Sequence, residues 1–156
     1  MSFGARVGFV DAMWSNLLAG FVLVALCVTV HAIGLQFLSR ALKRAILHFE
    51  PHRHPVGTIS VMTATVLVLF ALHTVEIWIW ALGYLSVGAL TNLYDALFFS
   101  TLSFSTLGAE EISLRPEWGL FGSIEGVNGF LLIGWSTAYL IPAWIRYGPF
   151  HEDRDF

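Results

Sequence analysis

At 156 residues, with 56% hydrophobic, 15% aromatic and only 12% charged side chains and a mean hydropathy of +0.72, the chain lies outside the range of soluble domains and belongs in lipid. Its formal net charge is -3, and its Lys and Arg residues form no patch of the kind a nucleic-acid partner requires, which sets nucleic acid aside. The single cysteine, Cys27, excludes an intrachain disulfide and a thiolate metal cluster, and within its apolar run it reads as a small buried hydrophobe.

A membrane helix takes about 20 mostly apolar residues. The first such run covers residues 16–37, interrupted only by Thr29, His31 and Gln36; it is longer than a signal h-region and is expected as a retained span. A polar segment follows, with Arg40, Lys43, Arg44, His48, Glu50, Pro51, His52, Arg53, His54 and Pro55. Residues 59–85 make the second span, apolar apart from His73 and Glu76. Residues 95–107 are too short to cross and are consistent with a re-entrant helix ending in a polar, glycine-containing turn. Residues 119–144 make the third span, with Glu125, Asn128 and Ser136 as exceptions and Pro142 expected at its far end.

The organisation predicted is therefore residues 1–40 as an N-terminal region with the first helix, 41–57 as a basic hairpin, 58–147 as the main membrane unit and 148–156 as a tail. No internal repeat interrupts this order, and no room is left for a separate soluble domain. Arg40, Lys43, Arg44 and Arg53 lie between the first and second spans and Arg146 and Arg154 after the third span, against Arg6 and Arg115 on the other side. The positive-inside rule then places the N-terminus outside, and the hairpin and C-terminus in the cytoplasm of a multi-pass cell-membrane protein. Arg40, Lys43 and Arg44 suit anionic headgroups. Trp14, Trp80, Tyr84, Trp118, Trp144 and Tyr147, at the predicted boundaries, suit interfacial belts.

The segment from Ala96 carries AlaLeuPhePheSer, then Ser105, Thr106, Leu107 and Gly108, then Ile112, Pro116, Trp118 and Gly119, leading into Ile124, Glu125, Gly126 and Gly129. This order resembles the pore region of bacterial two-helix potassium channels, with an added N-terminal helix. The resemblance implies an all-α membrane protein with three transmembrane helices, a re-entrant pore helix and a loop, assembled as a homotetramer in lipid. In that family the pore helix leads into a turn of the form T-x-G-Y-G-D. Thr106, Leu107 and Gly108 match its beginning, whereas Ala109, Glu110 and Glu111 replace the aromatic residue, the second glycine and the aspartate.

A potassium filter replaces the ion's water shell with successive backbone carbonyls, which needs backbone angles that glycine adopts without steric cost. Glu110 disfavours such a left-handed conformation by about 1 kcal/mol, so the expected selectivity filter, Ser105, Thr106, Leu107, Gly108, Ala109, Glu110 and Glu111, lacks a full carbonyl ladder. It offers an acidic mouth: rings of Glu110 and Glu111 favour cations and could hold a divalent ion. Permeant monovalent cations are expected and no other cofactor. The same four residues from Gly108 would elsewhere be an ordinary exposed loop; the flanking order of elements is what favours the pore.

His73 and Glu76, three residues apart, share a helical face, and an ionisable group in lipid is expected to face protein. They suit a pH-sensitive latch, a metal pair or an interhelical hydrogen bond. His31 carries the same alternatives. Glu125 and Asn128 share a face of the third span, where Glu125 could brace the pore loop or snorkel to the outer surface. The resemblance implies a gating hinge at Gly129, with Gly126 as the alternative. His48, His52 and His54 could hold zinc, but Pro51 interrupts their helix and no thiolate is near, so a basic loop is expected.

The function that follows is a cation channel of weak selectivity, or a channel-like subunit that does not conduct and serves a structural or regulatory role. An enzyme is not expected, since no nucleophile, paired dyad or HExxH signature is present. A haem held by His31 and His73 is the remaining variant of that class.

Overall fold

The computed structural model describes residues 3–49, 55–108 and 112–147, and all its regular elements are helices: α1 (Phe3–Phe49), α2 (Pro55–Ser86), α3 (Leu93–Phe104) and α4 (Gly119–Tyr147), with a 3-10 turn at Pro116–Trp118 before α4. Three stretches, Asp11–Ala45, Val56–Ser86 and Pro116–Pro142, are long and apolar enough to cross a membrane, whereas α3 has 12 residues and is not. Many large apolar side chains on the long helices face outward, Phe21 at 72% and Phe70 at 71% exposure among them. In water that surface would be untenable; against acyl chains it costs nothing.

α1 runs through the residues expected as the start of a polar hairpin and ends at Phe49. No Gly or Pro occurs between Gly34 and Pro51, and Leu38, Arg40, Ala41, Leu42, Lys43 and Arg44 are all strong helix formers, so polarity there marks an exposed helix end rather than a loop. Glu50, Pro51, His52, Arg53 and His54 lie outside the described residues. α2 opens on Pro55, whose missing N–H is one the first turn would leave unpaired in any case. α4 continues past Pro142 to Tyr147; within a membrane helix a proline can be accommodated without ending it.

The chain divides into two compact units. Met1–Thr29 with Val75–Leu132 form the first, and Val30–Thr74 with Ile133–Phe156 the second. The core of the first is aromatic: Trp80, Tyr84, Phe99, Phe104 and Phe121 are buried with Cys27 and Leu132. Tyr84 meets Phe99 and Phe121 edge-on, with ring centroids 5.1 and 5.2 Å away, the arrangement the ring quadrupole favours. Trp80 and Tyr84 are thus core residues and not members of an interfacial belt, whereas Trp14 and Trp144 are exposed. The core of the second unit is smaller, with Leu35, Leu38 and Leu69 against Tyr139 and Leu140. There the Tyr139 and Ser39 hydroxyls lie 3.0 Å apart.

Candidate pore-loop site

α3 starts where Asn92 can cap it. The Asn92 side chain accepts the Tyr94 backbone N–H at 2.9 Å, and Asp95 adds an acidic group to the first turn, where the helix dipole favours one. The sequence before it turns tightly out of α2, with Gly88 at φ 70 and the Ala89 N–H bonded to the Tyr84 carbonyl at 2.9 Å.

The far end of α3 closes on itself. Thr106 N–H bonds to the Ser103 carbonyl at 3.0 Å and Leu107 N–H to the Leu102 carbonyl at 2.9 Å, with Gly108 N–H reaching the same Leu102 oxygen at 3.3 Å. Thr106 has φ 63 and Gly108 φ 80. Gly108 takes that conformation freely, but a β-branched residue there carries about 1–2 kcal/mol of strain. Strain of this kind persists only where the surroundings impose it, and it concentrates at functional turns. Leu107 between them is 77% exposed. Of the expected filter, Ser105, Thr106, Leu107 and Gly108 therefore form the exposed turn that ends α3. Ala109, Glu110 and Glu111 lie outside the described residues. A groove of about 700 Å³ opens beside this turn, lined by Ser103, Thr106, Gly108, Arg115, Gly122 and Gly126 among others.

Behind α3 is a buried polar knot. Glu125 on α4 is fully buried. The Tyr84 hydroxyl on α2 donates to its Oε2. Ser100 Oγ on α3 lies 2.5 Å from Glu125 Oε1 and 2.9 Å from the Ile77 carbonyl oxygen on α2, so its one proton serves two acceptors. One carboxyl group thereby connects α2, α3 and α4. Buried polar groups left without partners cost about 1–3 kcal/mol each, so each member of this set holds the others in place.

Two further contacts fix α4. Gly129 lies directly against the end of α3: a Cβ added there would come 2.7 Å from Phe104 Cα and also onto the Phe104 carbonyl oxygen. Gly126 is less constrained, its nearest such contact being the Ser103 carbonyl oxygen at 3.5 Å. At the head of α4, Asn16 of α1 is 1% exposed. Its Oδ1 accepts the Phe121 backbone N–H at 2.8 Å, and its Nδ2 donates to the Glu117 carbonyl at 2.8 Å and the Ala12 carbonyl at 2.7 Å. The added N-terminal helix thus supplies an acceptor to the first turn of α4, whose N–H groups have no partner further along the helix.

Asn128 shares the buried face of α4 with Glu125 and is 2% exposed, but among the described residues its Nδ2 has no hydrogen-bond partner. In the second unit His73 is half-buried and Ser136 Oγ lies 3.0 Å from its Nε2. Glu76, one turn further along α2, belongs to the first unit and is buried. Asn16, Tyr84 and Ser100 were not expected as site residues. Asn16 stands at the edge of an apolar run, where a polar residue is unremarkable, and Ser100 is one of several serines and threonines in the re-entrant segment.

Comparison with known proteins bears on this site directly. A family model described as an ion channel matches residues 64–145, more than half of the chain, and its span takes in α3 with most of α2 and nearly all of α4. No curated protein and no solved structure matches the chain.

Proposed function

The chain belongs to the ion channel family in its pore-loop form, and from that membership we propose that it is one subunit of a homotetrameric, weakly selective cation pore in the cell membrane. The observation that carries the proposal is α3, too short to cross a membrane, seated between two helices that can cross and joined to both through Glu125. One chain contributes one such segment, so an axial pore needs several copies. In this reading residues 58–147 are the channel unit. α2 faces lipid and α1, α3 is the pore helix, and α4 lines the path.

The turn of Ser105, Thr106, Leu107 and Gly108, continued by Ala109, Glu110 and Glu111, forms the mouth. Without the second filter glycine the carbonyl ladder is short, and the acidic side chains attract monovalent cations in general, with a divalent ion able to lodge between them. Glu125 braces the pore helix from behind. A gating bend of α4 at Gly129 or Gly126 alters the contact that Gly129 makes with Phe104. The charge asymmetry of the connecting segments supports an N-terminus outside and residues 41–57 and 148–156 in the cytoplasm.

A second reading is a non-conducting channel relative with a structural or regulatory role, favoured by the way the N–H groups of Thr106, Leu107 and Gly108 fold back onto α3. Purified protein recorded in planar bilayers separates the two. Cation currents under at least one pH or divalent condition support the pore, and silence under all of them leaves the second reading.

A further inference from the structure

Within the second unit, two imidazoles and a hydroxyl come together from three different helices. His31 of α1 is fully buried. Its ring stacks on that of His73 of α2, with centroids 5.4 Å apart and planes at 30°. Ser136 of α4, also buried, places its Oγ 3.5 Å from His31 Nε2 and 3.0 Å from His73 Nε2. Trp135 closes over His31 with ring centroids 5.2 Å apart.

From this convergence we infer that His31, His73 and Ser136 form a binding site for a late first-row divalent metal ion, of which zinc is the representative. The histidine nitrogens offered to a metal lie within 4.8 Å of one another. Two imidazoles on a tetrahedral zinc, each about 2.0–2.1 Å from the ion, place their nitrogens about 3.4 Å apart, a separation that small rotations of the two rings reach. The donor set is imidazole and hydroxyl, which selects zinc, copper or nickel over magnesium or calcium. The three ligands stand on three different helices of the unit. Bound metal fastens α1, α2 and α4 to one another in this unit, whether or not the chain conducts.

The test uses the full chain purified in detergent, with His48, His52 and His54 replaced by alanine so that the hairpin cannot bind metal. Equilibrium dialysis against Zn2+ should give one ion per chain. His31→Gln and His73→Gln, which keep hydrogen-bonding capacity, should each weaken binding by at least about tenfold, with metal-free helical circular dichroism unchanged. Unchanged zinc affinity in both variants, or no zinc bound once the hairpin histidines are gone, would overturn the site. Ser136→Cys gives a second measurement that does not depend on removing a ligand: loaded with Co2+, it should gain a thiolate-to-cobalt charge-transfer band absent from the parent protein. A Ser136→Cys protein that takes up Co2+ without that band would place Ser136 outside the metal's reach.

Discussion

Gly129 presses its backbone against Phe104, leaving no room for a side chain between α4 and the end of α3. The Gly129→Ala protein must therefore part the two helices. An overpacked contact of this kind costs about 1–3 kcal/mol, whereas Gly126→Ala introduces an ordinary van der Waals contact and should be nearly neutral. Thermal unfolding in detergent, followed by size-exclusion chromatography, reads the difference. Equal midpoints for the two variants would mean that Gly129 is not a packing position.

The Glu125 knot predicts coupling between residues far apart in sequence. Tyr84→Phe and Ser100→Ala each remove one partner of a buried carboxyl group and should each destabilise by about 1–3 kcal/mol. Both hydroxyls meet the same group, so the double variant should depart from the sum of the two singles by at least about 0.5 kcal/mol. Strict additivity in a double-mutant cycle would show that the two bonds act independently.

Asn16 offers a graded series. Asn16→Asp keeps the oxygen that accepts the Phe121 N–H but loses the donor to Glu117, and Asn16→Ala loses both. Hydrogen exchange at the Phe121 amide should rise in the order wild type, Asn16→Asp, Asn16→Ala, with the alanine variant losing about 1–2 kcal/mol of local protection. Identical exchange in all three would indicate that the cap contributes nothing to the start of α4.

Charge at the mouth is tested by reversal potentials. Replacing Glu110 and Glu111 with glutamine should reduce preference for cations over chloride, if current is carried past these residues as proposed. A reversal potential that stays the same after neutralising both would remove the carboxylates from the conduction path.

Hydropathy alone located the three long helices and the short α3, because apolar length is a direct consequence of crossing lipid. It failed at Arg40, Lys43 and Arg44, where polarity suggested a loop while helix propensity carried α1 on to Phe49. It also misplaced Trp80 and Tyr84. An aromatic residue near the end of a span suits an interface or a core equally well, and only the partners across the helix decide between them. Glu125 stood out in the sequence because a carboxylate amid apolar residues is costly. Its partners Tyr84 and Ser100, 41 and 25 residues away, carried no such mark. Asn92 did carry a local one, being an N-cap type just ahead of an amphiphilic run, and it sets the start of α3 earlier than Asp95.

The Asn16 cap also bears on any attempt to graft this pore loop into another scaffold. A chimera that took residues 58–147 alone would carry an inner helix whose Phe121 amide and Glu117 carbonyl were shaped to meet a side chain from outside the transplanted segment. A working graft would have to bring α1 along or rebuild the junction, for instance with a serine or aspartate placed to cap α4 from its own chain. Exchange of modules with another channel therefore has a condition attached: the transplanted helix pair is incomplete without its neighbour.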